Sequence, residues 1–150
     1  MKNKYIIDDS VIDSTKLTDL LNEYKGLFRR HSRIMVHSEN PLPIILSLHL
    51  CEDLNLSLYL CHSFFTFTEV EDYIEKYDID LLVYADEILP FSYRELERRD
   101  NKDREASIHI FTTGTTGKPK LARHSWDSIS RAARHVSERL WGKNWLMTYS

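Results

Sequence analysis

The segment TTGTTGKPK, residues 112 to 120, combines residue types that suit the binding of a polyphosphate. Glycines allow positive φ angles and let the backbone approach a ligand closely. Consecutive backbone N–H groups in such a loop can converge on an anion, and threonine hydroxyls add further donors. Lysine supplies positive charge without the rigid planar fork of arginine, which suits a phosphate that moves during a reaction. The candidate binding residues are Thr112, Thr113, Gly114, Thr115, Thr116, Gly117 and Lys120.

This loop differs from two common glycine-rich phosphate motifs. A Walker A loop has Gly, four residues and then Gly-Lys-Ser/Thr. Here Gly114 and Gly117 are three positions apart, and Pro119 stands where the hydroxyl residue should be. The dinucleotide pattern Gly-x-Gly-x-x-Gly is also absent. The alternative to a phosphate loop is a turn rich in Gly and Thr that binds no ligand.

Alternating strands and helices are predicted to position the loop. Short apolar runs rich in β-branched residues predict strands, and a 3.6-residue apolar period predicts helices. Strand–helix–strand order is typical of right-handed units on a parallel sheet. The fold class is therefore predicted to be α/β, a mainly parallel sheet with flanking helices. The predicted strands are residues 33–37, 56–61, 80–84, 107–111 and 121–124.

Capping residues predict where the helices begin. Asn40 suits an N-cap, and Pro41 suits the first position of the helix that follows. Thr68 and Glu71 have the spacing of a capping box ahead of a third helix. Gly142 is placed to end the last helix. The two other predicted caps are Ser14 and Ser125.

Composition limits the classes of function. The chain has 150 residues and a net charge of −3, so no basic field recruits nucleic acid. Its apolar runs are far shorter than the ~18 residues that a membrane span needs. We therefore expect a single unit over residues 1–150, located in the cytoplasm. Residues 94–105 carry five positive and five negative charges, which predicts a solvated helix end or linker.

The cysteine and histidine residues indicate less about function than the loop does. Cys51 and Cys61 lie in apolar stretches and are predicted to be buried free thiols. The seven histidines show no metal-ligand spacing, so no metal ligand is predicted. His37 and His62 follow predicted strands, and either face the crevice where α/β sheets bind ligands or are solvated. His124 is a candidate contact for a phosphate or carboxylate.

The nine residues from Thr112 to Lys120, directly after an apolar strand, resemble the phosphate loop of the adenylate-forming (AMP-binding) superfamily. That superfamily includes acyl-CoA synthetases, acyl-AMP ligases and the adenylation domains of peptide synthetases. The upstream order of strands and helices is similar to the first part of the family's large domain. The resemblance extends over residues 30 to 150 and implies an incomplete N-terminal portion of that domain.

The resemblance implies a reaction and a role for each loop residue. In the family the loop closes over the β- and γ-phosphates of ATP, which leave as pyrophosphate when a carboxylate attacks the α-phosphorus. The threonines at 112, 113, 115 and 116 would donate to phosphate oxygens, and Gly114 and Gly117 would let the loop bend. Lys120 would neutralise developing charge and is the candidate catalytic residue. Mg²⁺ is implied together with ATP, with its protein ligand outside this chain.

Three positions depart from the family pattern. His109 stands in the strand where the family has an apolar residue, Leu121 replaces a glycine after the lysine, and Trp126 stands where many members have histidine. These departures indicate an outlying branch.

Two functions are compatible with the sequence. In the first, the chain is the N-terminal fragment of a carboxylate-adenylating ligase, complete only in a longer chain or with a second polypeptide. Such an enzyme would form acyl-AMP and then transfer the acyl group to a thiol such as coenzyme A or carrier-protein pantetheine. In the second, it is a truncated remnant or a phosphate-binding module without ligase activity. We do not expect the 150 residues alone to be catalytically complete, because nothing in them orients a carboxylate for in-line attack.

Overall fold

A six-stranded sheet lies at the centre of the structure, a computed structural model that describes residues 4–7, 10–85, 90–97, 105–112 and 119–134. The strands are β1 Lys4–Ile7, β2 Ser10–Asp13, β3 Arg33–His37, β4 Ser57–Cys61, β5 Leu81–Tyr84, β6 Ser92–Glu95, β7 Ile108–Thr112 and β8 Lys120–His124. The helices are α1 Ser14–Phe28, α2 Pro41–Leu54, α3 Phe67–Tyr77 and α4 Trp126–Arg134. Within these ranges no helix has both the length and the apolar character that crossing a membrane would require.

The order of strands in the main sheet is β6-β5-β3-β4-β7-β8. The inner strands β3, β4, β5 and β7 run parallel, whereas β6 and β8 pair antiparallel at the two edges. Strands β1 and β2 form a separate antiparallel hairpin, which was not predicted from the sequence. The predicted fold class, a mainly parallel α/β sheet with flanking helices, is confirmed.

Residues of the parallel strands alternate between two apolar cores on opposite faces of the sheet. One core contains residues of α1 and α2, and the other contains residues of α3. Helices α2 and α3 therefore cover opposite faces. The strand residues in the first core include Ile34, Val36, Leu58, Leu81 and Val83. Those in the second include Met35, Tyr59, Cys61, Leu82 and Phe111.

The helix starts agree with the predicted caps at α2 and α4 and differ from them by one or two residues at α1 and α3. At α2 the Asn40 side chain accepts from the backbone N–H of Leu42 at 2.9 Å, and Pro41 is the first helical residue, as predicted. At α1 the cap is Asp13 rather than Ser14, because its carboxylate accepts from two backbone N–H groups of the first turn. At α4 the predicted cap Ser125 accepts from the backbone N–H of Ser128 at 3.0 Å. The predicted helix end at Gly142 lies outside the described residues.

At α3 the capping-box prediction was wrong by two residues. The box is formed by Thr66 and Glu69, and not by Thr68 and Glu71. Both pairs fit the same sequence pattern. Phe65, which precedes Thr66, is buried in the core on the α3 face. Burial of Phe65 therefore fixes the earlier position for the helix start.

Replacing Thr66 by alanine is expected to reduce the free energy of unfolding by about 1 kcal/mol, because the cap at the N-terminus of α3 is lost. The matched control is Thr68→Ala, which removes an exposed threonine inside the first turn of the same helix. Urea unfolding followed by circular dichroism measures both variants. Equal destabilisation by the two substitutions would contradict the observed position of the cap.

The structure describes residues 94–97 and 105 of the charged segment 94–105, and the beginning of the segment differs from the prediction. Its first two residues belong to the edge strand β6, Ser92–Glu95, and not to a solvated helix end or linker. Arg94 is half-buried and donates to the carboxylate of Glu71 on α3 at 2.6 Å. The alternation of half-buried and exposed residues along β6 lets a highly charged strand cover one edge of the sheet.

Buried polar groups join the amino ends of β3 and β5. The carboxylate of Asp80, which is 4% exposed, accepts hydrogen bonds from the backbone N–H groups of Ser32 and Arg33, both at 2.9 Å. The side chain of Arg33, also buried, donates to the carboxylate of Asp78 at 2.7 Å. These contacts lie at the amino ends of the parallel strands, whereas Thr112 lies at the carboxyl end of β7. They therefore stabilise the fold and are not part of the candidate site.

Candidate functional site

The strands β7 and β8 carry the two ends of the candidate phosphate loop. Thr112, the last residue of β7, pairs with Lys120, the first residue of β8. The Thr112 hydroxyl donates to the backbone carbonyl of Lys120 at 3.2 Å, and both side chains are exposed. The structure thus brings together two of the seven candidate residues at the base of the loop. The other five, Thr113, Gly114, Thr115, Thr116 and Gly117, lie outside the described residues.

Buried side chains hold β7 in place up to the residue before Thr112. Ile108 is fully buried and Phe111 is 7% exposed. The ring of Phe111 lies 4.5 Å from that of Tyr73 on α3 and 5.7 Å from that of Phe65, measured between centroids. These aromatic contacts make β7 part of the core as far as Phe111, whereas Thr112 and Lys120 at the base of the loop are exposed.

The base of the loop lies at the carboxyl edge of the parallel strands. The strands β3, β4, β5 and β7 end there at His37, Cys61, Tyr84 and Thr112. Because α2 and α3 cover opposite faces, the chain segments that leave β3 and β4 diverge from each other. In open α/β sheets ligands bind outside the carboxyl ends of strands at such a switch point. The base of the candidate loop is therefore one strand away from the position where open α/β sheets commonly bind ligands.

A turn at residues 62–65 follows β4 at this crevice. The backbone N–H of Phe65 donates to the carbonyl of His62 at 3.1 Å and closes the turn. Nε2 of His37, at the end of β3, lies 3.1 Å from the carbonyl oxygen of Ser63. The rings of His62 and Phe64 are stacked, with centroids 3.5 Å apart. The side chain of His37 thus connects the end of β3 to the turn across the crevice. The side chain of His62 is exposed.

The three residues that depart from the pattern of the resembled family all make packing or hydrogen-bond contacts. His109 is stacked on Tyr59, with ring centroids 4.2 Å apart and an interplanar angle of 2°, and its Nε2 lies 2.9 Å from the hydroxyl of Ser107. Leu121 packs against the core on the α3 face. The indole Nε1–H of Trp126 donates to the backbone carbonyl of Leu56 at 3.2 Å and fixes α4 against the sheet. These contacts give the three residues a role in the fold.

His124 lies far from the base of the loop. It ends β8 and pairs with Ile108, the first residue of β7, so it is at the amino edge of the parallel strands. Three residues of extended strand lie between it and Lys120, so the two Cα atoms are about 13 Å apart at the usual rise. This position does not favour a contact between His124 and a phosphate at the base of the loop.

Two cysteines are buried and unoxidised, as predicted. Burial, and to a lesser extent the negative charge of Glu69, raises the pKa of the Cys61 thiol to about 12. Burial, and then the charge of Asp80, raises the pKa of Cys51 well above its ordinary value. Both thiols therefore stay protonated near neutral pH, and the crevice beside Cys61 contains no nucleophilic thiolate.

Both thiols of the folded chain are expected to react with iodoacetamide at least about a hundredfold more slowly than a free thiol at about pH 8. The rate for Cys61 should keep increasing as the pH is raised towards 12, because its pKa is about 12 and the thiolate is the reactive form. Mass spectrometry of the alkylated chain measures this, with the chain in urea as the control. Equal rates in the folded and unfolded chains would contradict the buried, protonated state.

The described residues do not offer a site for a metal held by the protein. No group of three or more His, Cys, Asp or Glu side chains suitable for a metal is found among them. Mg²⁺ in nucleotide sites is held by one or two carboxylates together with the phosphates. Thr112 and Lys120, the described residues at the base of the loop, supply no carboxylate.

Comparison with known proteins shows the fold. No family model and no curated protein matches the sequence. A solved structure of the Klebsiella oxytoca NpsA N-terminal subdomain, in complex with 3-hydroxyanthranilyl-AMSN, matches with a TM-score of 0.57 and 12% sequence identity. The match covers 83% of this chain and 36% of that one, so the chain spans about a third of the neighbour's length. The chain therefore has the fold of part of that subdomain.

Proposed function

We propose that the chain is the N-terminal part of an ATP-dependent ligase that activates a carboxylate as its acyl-adenylate. The observation that carries this proposal is the position of the segment TTGTTGKPK, which connects β7 to β8 at the carboxyl edge of a parallel sheet. An independent fold likeness to the NpsA subdomain, solved in complex with 3-hydroxyanthranilyl-AMSN, supports it. The proposal includes a cytoplasmic location.

In the proposed reaction a carboxylate oxygen attacks the α-phosphorus of ATP. The new P–O bond gives acyl-AMP, and the bond to the β-phosphate oxygen breaks and releases pyrophosphate with the electron pair. Negative charge then grows on the leaving oxygens. In this proposal the ammonium of Lys120, which is exposed opposite Thr112, stabilises that charge together with the N–H and hydroxyl donors of residues 112–117.

The binding of ATP by the loop is only part of such a reaction. The acid must be held in line with the bond that breaks, and proximity of this kind accounts for a large share of the rate. We propose that a longer chain or a second polypeptide supplies these groups, together with the carboxylate that holds Mg²⁺. The subsequent acceptor is proposed to be a thiol, either coenzyme A or the pantetheine of a carrier protein.

The first experiment is to capture the native polypeptide from its own cells through residues 1–150 and to measure its intact mass and that of any partner. The captured material is then assayed for ATP–pyrophosphate exchange that depends on added carboxylic acids, including aromatic acids. Exchange with one or more acids supports the proposed ligase. Absence of exchange from the intact polypeptide, with ATP still bound, would instead support a phosphate-binding module, and absence of both would support a remnant.

A further inference from the structure

The turn at 62–65 is held from both sides at the carboxyl edge of the sheet. On one side Nε2 of His37 lies 3.1 Å from the carbonyl oxygen of Ser63. On the other side Phe65, which is 7% exposed, meets Phe111 of β7 edge to face at 5.7 Å. A turn fixed by contacts with both neighbouring strands has a defined position, so the direction of its exposed side chains is also defined.

Strand register places His62 beside the base of the candidate phosphate loop. Strand β4 pairs with β7 in parallel, and the last pair is Leu60 with Ile110. Strand β4 ends at Cys61, so His62 is the first residue after it, and Thr112, the last residue of the neighbouring strand β7, pairs with Lys120 on β8. His62 therefore follows the strand next to β7 at the same edge of the sheet as Thr112 and Lys120, and neighbouring strands lie about 4.8 Å apart.

The side chain of His62 is suited to contact a ligand. It is exposed, and its ring is stacked on Phe64, with centroids 3.5 Å apart and an interplanar angle of 30°. Phe64 is itself 59% exposed and packs edge to face on the buried ring of Phe65. The stack restricts the imidazole to few orientations, which lowers the entropy lost when it binds a ligand.

We propose that His62 is a further contact for the terminal phosphates of the nucleotide, donating an imidazole N–H to a phosphate oxygen beside Thr112 and Lys120. This inference rests on the proposed function, because it assigns an additional residue to the same phosphate site. Phe64 is a positioning residue that acts through the His62 ring. His37 and Phe111 fix the turn that carries them.

The test measures binding of inorganic tripolyphosphate to the intact native polypeptide by titration calorimetry. His62→Leu is expected to weaken binding about tenfold, because leucine has no N–H and one hydrogen bond to a charged group at an exposed site is lost. Phe64→Ala is expected to weaken it by a smaller factor, because the imidazole remains but is less restricted. The matched control is His124→Leu at the other end of β8, which should not change the affinity.

A second measurement separates contact from folding. The imidazole proton signals of His62 should shift when tripolyphosphate is added, whereas those of His124 should not, and His62→Leu should unfold at the same temperature as the wild type. Unchanged affinity in His62→Leu, with binding that still depends on Lys120, would overturn this inference and leave the proposed function standing. If the wild type does not bind tripolyphosphate, or Lys120→Ala binds it equally well, both are overturned.

Discussion

Replacing Lys120 by alanine is expected to slow acyl-adenylate formation by about 100- to 1,000-fold, the usual effect of removing one donor aimed at transition-state charge. Lys120 begins β8 opposite Thr112, where the loop meets the sheet, and its side chain is exposed. Its ammonium is therefore free to move with the phosphates, while few packing contacts depend on it. The rate is measured by carboxylate-dependent ATP–pyrophosphate exchange, and stability by thermal unfolding.

Lys16→Ala is the matched control for that substitution, because Lys16 is an exposed lysine in the first turn of α1. It should leave exchange unchanged. Lys120→Arg keeps the charge but changes its geometry, and an intermediate rate is expected. An Lys120→Ala variant that folds normally and keeps the wild-type exchange rate would remove Lys120 from the mechanism.

Replacing Asp80 by asparagine is expected to reduce the free energy of unfolding by about 3 kcal/mol, the range for losing hydrogen bonds to a buried charged group. The Asp80 carboxylate accepts three contacts of 2.9 to 3.1 Å from the backbone N–H groups of Ser32 and Arg33. An amide has only one oxygen, so its NH₂ group would face a donor. Urea unfolding followed by circular dichroism provides the measurement.

Asp72→Asn, at an exposed position of α3, is the control and should change stability by less than about 0.5 kcal/mol. The position of Asp80 at the amino edge adds a second expectation. At a temperature where the Asp80→Asn variant remains folded, its affinity for tripolyphosphate should equal that of the wild type. Full stability of Asp80→Asn would show that the buried carboxylate does not hold β3 and β5 together.

Local patterns in the sequence predicted the main parts of the fold. The pair Asn40 and Pro41 predicted the start of α2 because its geometry depends only on neighbouring residues. The parallel strands were predicted because strands that are buried on both faces consist of short runs of apolar residues. The capping box at Thr66 and Glu69 was missed because two overlapping segments fit the same pattern, and only the burial of Phe65 distinguishes them.

The charged strand β6 was missed for a related reason. Its composition is that of a solvated segment, and its structure depends on antiparallel pairing with β5, which lies elsewhere in the sequence. Ion pairing of Arg94 with Glu71 joins it to α3. An edge strand can carry charge because part of each side chain remains in water.

Part of the candidate site was also indicated by local sequence, and part depends on strand order. The phosphate loop was predicted from nine consecutive residues, since its chemistry is local. The proposed role of His62 near Thr112 and Lys120 depends on the order β4-β7-β8, and the contact between His37 and Ser63 depends on the order β3-β4. Strand order is set by contacts between distant parts of the chain, so no spacing in the sequence indicates which histidine follows the strand next to β7.

The proposed function depends most directly on whether the loop at 112–120 holds a polyphosphate. Titration calorimetry of the intact native polypeptide with ATP and with AMP, both in the presence of Mg²⁺, measures this. We predict that ATP binds at least about tenfold more tightly than AMP, and that Lys120→Ala removes most of this difference, because a charged contact to the β- or γ-phosphate is lost. Equal affinities for ATP and AMP, or an ATP preference that Lys120→Ala leaves unchanged, would contradict the account.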